Sequence, residues 1–124
     1  MRLLLDTHVV LWWRQDSRHL KRAAKRAIAG ASVVYVSAAS VWEAVIKSSI
    51  GRLTLTDPFE RHVDEASFEP LSITFSHAAE VGRLPPLHAD PFDRMLIAQA
   101  RVERLLLVTH DDRIARYEVD TLLT

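Results

Sequence analysis

Short runs of uninterrupted apolar residues constrain this chain most tightly. Leu3, Leu4 and Leu5 run up to Asp6; Val33, Val34, Tyr35 and Val36 form a second run; Leu105, Leu106, Leu107 and Val108 form a third. A strand wetted on one face alternates apolar and polar side chains, whereas a strand covered on both faces need not. Runs this short and uniform predict strands of a parallel sheet. A weaker run over residues 71–74 and a short one near 119–122 predict two more. Helical periodicity fills the gaps, over residues 7–13, 19–29, 40–50, 58–66, 76–81 and 91–101. In the last of these Phe92, Met95, Leu96 and Ala100 share one face, and Pro91 suits a first helical turn. Gly30 and Gly51 stand as stops behind two others. Strands alternating with helices predict an α/β chain: a four- to five-stranded, mainly parallel sheet covered on both faces.

Length and composition narrow the function. With 124 residues, the chain fits one domain over residues 1–124. It has no cysteine, which excludes disulfide scaffolding and thiolate metal sites. No apolar stretch approaches the ~20 residues that span a bilayer, and Asp6 interrupts the N-terminal apolar run too early for a signal peptide. A cytoplasmic location is expected. Sixteen Lys and Arg balance sixteen Asp and Glu, so a coat-like nucleic-acid binder, which would be strongly basic, is disfavoured. Nucleic acid as a substrate is not.

Four carboxylates fall where an α/β fold concentrates chemistry. Asp6 follows the first strand and Asp111 follows the fourth, beyond Thr109 and His110. Ligands of open parallel sheets bind beyond the carboxyl ends of strands, so these two acids are expected on one rim. Glu43 lies one turn into the helix after the second strand, and Asp93 in the first turn of the helix before the fourth. Each acid also reads as helix capping. Asp6 would N-cap the next helix. Glu43 would close a capping box, Ser40-Val41-Trp42-Glu43. Asp93 would favour a helix dipole behind Asp90 and Pro91. Asp111 or Asp112 would cap a final short helix. Together, however, clustered carboxylates repel one another, and a hard divalent cation is what such an oxygen cluster holds. Ser37 and Thr7 stand close enough in sequence to reach that cation's water shell, or to act as caps.

Other chemistry finds little support. The six histidines form no HxH or HExxH pattern, and His88 and His110 read as surface residues. Phosphate-cradling glycine loops and a nucleophile elbow are absent. Trp12, Trp13 and Trp42 suit packing better than base stacking. Arg14, Arg18, Lys21, Arg22, Lys25 and Arg26 crowd one segment opposed only by Asp16. They read either as a phosphate-binding stripe or as a solvated helix face.

Four segments, LLLDTHVVLWW (3–13), VSAASVWEAVIK (36–47), LPPLHADPFDRMLIAQA (84–100) and LLLVTHDDRIARY (105–117), stand in an order that resembles the PIN-domain ribonucleases. The likeness is specifically to the VapC-like toxins of type II toxin–antitoxin pairs. That resemblance implies a three-layer α/β/α sandwich. It places the family's acidic metal-binding positions at Asp6, Glu43, Asp93 and Asp111, with Asp112 beside the last, and a small hydroxyl residue near the metal at Thr109. It implies a Mg²⁺- or Mn²⁺-dependent hydrolysis of RNA phosphodiesters, a homodimer, and inhibition by a cognate antitoxin. Substrate contacts are then expected at Thr7, Thr109, Arg14, Arg18 and Arg22, and the basic helix is a second candidate, as a groove for an antitoxin segment. Residues 52–83 match no motif. Two other classes compete. A receiver domain would show paired acids after the first strand, where Asp6 stands alone. A non-catalytic PIN-like binding module would use the acids only as caps.

Overall fold

The computed structural model describes residues 1–124 throughout. Five strands form one sheet: β1 (Arg2–Leu5), β2 (Val33–Ser37), β3 (Glu69–Leu71), β4 (Leu106–Thr109) and β5 (Thr121–Leu123). Their order is β3-β2-β1-β4-β5, and every neighbouring pair is parallel. Six helices accompany them: α1 (Thr7–Gln15), α2 (Arg22–Gly30), α3 (Ala38–Ser49), α4 (Phe59–Glu65), α5 (Phe75–Val81) and α6 (Pro91–Glu103), with a short 3₁₀ turn at Ile114–Arg116. No helix is long and apolar enough to cross a membrane.

The uniform apolar runs are explained by two separate cores. Side chains alternate across a strand. Leu3, Leu5, Val34, Val36 and Val108 therefore face α1, α2 and α4, joining Val10, Ile28, Phe59 and Val63. Leu4 and Leu107 face the other way, onto Leu96, Ile97 and Ala100 of α6 and onto Ile114 and Tyr117. The three layers are helices, sheet, helices. Strand β1 lies at the centre, with β2 on one side and β4 on the other. The chain reverses direction across the sheet there, which opens a crevice at the carboxyl ends of the strands.

Several boundaries differ from the sequence expectation, each for a local reason. Helix α3 starts at Ala38 rather than residue 40, because the Ser37 hydroxyl accepts from the Ala39 amide at 3.0 Å. Glu43 therefore lies in the second turn, and the Ser40–Glu43 capping box does not form. The helix expected from residue 19 starts at Arg22. Asp16, with φ 49°, closes α1, and buried Leu20 pins the intervening loop to the core. Strand β3 ends at Leu71 because Thr74 leaves the sheet to cap α5. Its hydroxyl accepts from the His77 amide at 3.2 Å, and its amide donates to His77 Nδ1 at 3.0 Å.

Candidate metal centre

All four carboxylates converge at the crevice, each delivered by a different segment. They line one pocket of about 160 Å³ that contains no hydrophobic residue. Asp6 enters from the end of β1. Its Oδ1 accepts from the Val9 amide at 3.0 Å and caps α1. Its Oδ2 accepts from the Thr109 hydroxyl at the end of β4 and lies 3.4 Å from His110 Nδ1. Glu43 comes from α3 and is 4% exposed. One of its oxygens accepts from the Thr7 hydroxyl, and the other from Lys47 Nζ at 2.6 Å. Asp93 comes from α6. Asp90 caps that helix, accepting from the Phe92 and Asp93 amides at 2.8 and 3.2 Å, so the Asp93 carboxylate is left to the pocket. Asp111 turns inward from the loop after β4, while Asp112 is exposed and lines no part of the pocket.

Two residues that the sequence did not single out as site members complete the arrangement. His88, expected at the surface, is 7% exposed. Its Nε2 lies 2.8 Å from Asp93 Oδ2 and 3.2 Å from Asp111 Oδ2. Its Nδ1 accepts from the Asp90 amide at 3.4 Å, which assigns the proton to Nε2, facing both carboxylates. Lys47 lies one turn beyond Glu43 on α3 and lines the pocket. The Lys47 signal was available as an i,i+4 Glu–Lys pair. The His88 signal was not, because its meeting with Asp111 depends on how the loop before α6 packs against the end of β4.

The acids press on one another. Burial pushes the Asp93 carboxyl up to about 6, with Asp90, Asp6 and Glu43 adding repulsion and the His88 hydrogen bond opposing it. Asp111 moves the other way, down to about 2, because the Arg113 guanidinium binds both its oxygens, at 3.1 and 2.9 Å. The hydrogen bond to Asp6 raises His110, whereas burial lowers His8. Lys47, Arg113 and the His88 N–H offset part of the negative charge. A carboxylate-rich, fully polar pocket with one acid driven toward protonation fits a hard divalent cation. Carboxylate oxygens of Asp93 and Asp111 lie within 4.8 Å of each other and of a ring nitrogen of His88, which with its proton on Nε2 acts here as their donor.

The expected substrate residues divide. Thr7 lines the pocket and Thr109 is fully buried behind it, and the hydroxyl of each donates to a carboxylate, Glu43 and Asp6 respectively. Arg14 is elsewhere: it donates to His62 Nδ1 at 3.2 Å and lies 3.4 Å from Glu65, against α4. Arg18 and Arg22 are exposed and outside the pocket. The basic segment is no single helical stripe, since it is split among the end of α1, a loop and α2.

Comparisons with known proteins show the family and the fold. The family model described as "PIN domain" matches residues 3–120. Ribonuclease VapC22 of Mycobacterium tuberculosis is 33% identical over 115 residues, covering 90% of this chain and 88% of that protein. The structure of VapBC2 from Rickettsia felis, bound to a DNA fragment from its promoter, superposes with a TM-score of 0.74 at 13% identity, covering 99% of this chain and 98% of that one. DNA-bound VapBC from Salmonella typhimurium gives a TM-score of 0.67 at 16% identity, covering 98% and 97%. The chain belongs to the PIN domain family, on its VapC side.

Proposed function

We propose that this chain is a Mg²⁺- or Mn²⁺-dependent endoribonuclease, the toxin of a type II toxin–antitoxin pair, working as one domain over residues 1–124 in the cytoplasm. The carrying observation is the meeting of Asp6, Glu43, Asp93 and Asp111 in one wholly polar pocket at the carboxyl edge of the sheet. The 33% identity to a protein named as a ribonuclease supports the activity. The toxin–antitoxin complexes among the structural neighbours support the pairing.

Asp6, Glu43 and Asp93 would hold the ion, with Asp111 at its outer side. Bound there, the cation would lower the pKa of water and stabilise charge on a phosphoryl oxygen. Thr7 and Thr109 fix the rotamers of Glu43 and Asp6 by donating to them. His88 holds Asp93 and Asp111 at a set separation through one N–H. Lys47 brings a fixed positive charge to the pocket, where a phosphodiester gathers negative charge on its way to products. Arg18 and Arg22 can meet flanking phosphates.

The antitoxin has a better seat than the basic segment. A groove of about 420 Å³ between α3, α4 and β3 is lined by Val41, Trp42, Val63, Phe68 and Leu71, with Glu60 and Asp64 beside them. It suits a partner segment carrying apolar and basic side chains. Exposed Phe75 offers apolar surface to a second copy in a homodimer. The proposal is tested by mapping RNA 5′ ends in cells after induction of the wild type and of Asp6→Asn. New ends are expected with the wild type alone. The same ends with both proteins, or none with either, would contradict it.

A further inference from the structure

Four aromatic rings run outward from the acidic pocket. His8 and His110 line the pocket, their centroids 5.1 Å apart and nearly perpendicular at 69°. His110 meets the Trp12 ring at 5.1 Å and 66°. His19 lies over Trp12 at 5.3 Å, tilted by only 26°, in a stacked arrangement. His8 and Trp12 are half-buried, whereas His110 and His19 are exposed. The stack therefore begins beside Asp6, 3.4 Å from His110, and ends in solvent at His19.

Positive charge is dense in the chain on both sides of its outer end. Arg18 precedes His19, Lys21 and Arg22 follow beyond buried Leu20, and all three cations are exposed. This loop is tied to the sheet edge that carries the site. The Lys21 amide donates to the Thr124 hydroxyl at 2.8 Å, and the Thr124 amide to the Thr109 carbonyl at 2.9 Å. Core packing does not account for His19, which is exposed and donates only its backbone amide, to Ser17. An exposed ring on a tryptophan, with cations on either side of it in the chain and an aromatic path to the acidic pocket, has the chemistry of a nucleobase platform. Bases stack on aromatic faces whatever their sequence, while Arg and Lys follow the backbone.

We propose that His19, supported by Trp12, is a stacking platform for an unpaired base that flanks the phosphodiester held at the carboxylates. Arg18 and Lys21 would meet the adjoining phosphates. This rests on the nuclease reading and names the residue that would receive the flanking base, which must be unpaired because a base inside a duplex cannot turn its face onto His19.

The test is binding, measured by fluorescence anisotropy with all four carboxylates intact and Ca²⁺ in place of Mn²⁺, so that the probes are held at the site and not cut. The probes are a short unpaired oligoribonucleotide and a duplex of the same sequence. His19→Ala is expected to weaken the unpaired probe roughly 5- to 150-fold, His19→Tyr to restore it, and neither to change the duplex. His19 is exposed, so these variants keep the fold; Trp12→Ala should reproduce the loss if it folds. Unpaired RNA bound equally well by His19→Ala, or no rescue by His19→Tyr, overturns the platform. Mn²⁺-dependent cutting of the same oligonucleotide by the wild type separates the two ideas. Cutting together with unchanged His19→Ala binding removes only the platform. Failure of the wild type to cut removes the nuclease reading and the platform with it.

Discussion

Asp6 does two jobs with two oxygens: one caps α1, the other faces the pocket. Capping and ligation, which compete as readings of the sequence, are compatible in this one side chain. Asp6→Asn keeps the cap, since Asn caps as well as Asp, and is expected to lose cleavage without a large loss of stability. Lys47 sits against Glu43 at 2.6 Å and competes with any cation for it. Lys47→Met is expected to lower the melting temperature of the metal-free protein and to tighten Mn²⁺ binding severalfold by calorimetry; weaker binding would contradict this. The pH dependence has a definite sign. Asp93 is raised to about 6 from an unfolded value of about 3.9, so the folded state holds its proton longer. The stability this group contributes is present below the unfolded value and is lost as pH rises through about 6. Asp111, lowered to about 2, contributes above the ordinary carboxylate range, and that contribution is lost as pH falls toward 2. A cation must displace the Asp93 proton, so the Mn²⁺-induced rise in melting temperature is expected to be larger at about pH 7 than at about pH 5. Equal rises would count against Asp93 as a ligand.

At the level of elements, what was legible depended on period and what was missed depended on caps. The strands at Leu3–Leu5 and Leu106–Val108 were readable because burial on both faces leaves a continuous apolar run. The start of α3 was not, because Ser37 and Ser40 are both serines before an apolar stretch and only tertiary packing chooses between them. The choice of Ser37 matters to the site, since it places Glu43 in the second turn, where it accepts from the Thr7 hydroxyl. Ser37→Ala removes the cap and should cost about 1 kcal/mol in urea unfolding; Ser40→Ala, whose hydroxyl has no partner, should cost less. A larger cost at Ser40 than at Ser37 would return the cap to Ser40. The basic run from Arg14 to Arg26 forms neither one stripe nor one helix face, for a related reason. The left-handed Asp16 and buried Leu20 break the helical period that a charge pattern alone cannot reveal.

Across the whole molecule, zero net charge conceals a partition. Setting aside Asp6, Glu43, Asp93 and Asp111 leaves twelve acids against sixteen bases. The remaining body is modestly basic around an acidic pocket that a cation would neutralise. If Arg18, Lys21 and Arg22 carry the backbone contacts, binding of single-stranded RNA should fall with salt, with a log–log slope of about −2. A slope near zero would remove them. The most direct measurement is cleavage of RNA by the purified protein, wild type beside Asp93→Asn, with Mn²⁺ and with EDTA. Cutting by the wild type in Mn²⁺ alone, and by Asp93→Asn in neither, is the result expected from a cation held by the four carboxylates. Cutting that persists in EDTA, or that survives Asp93→Asn unchanged, would contradict it.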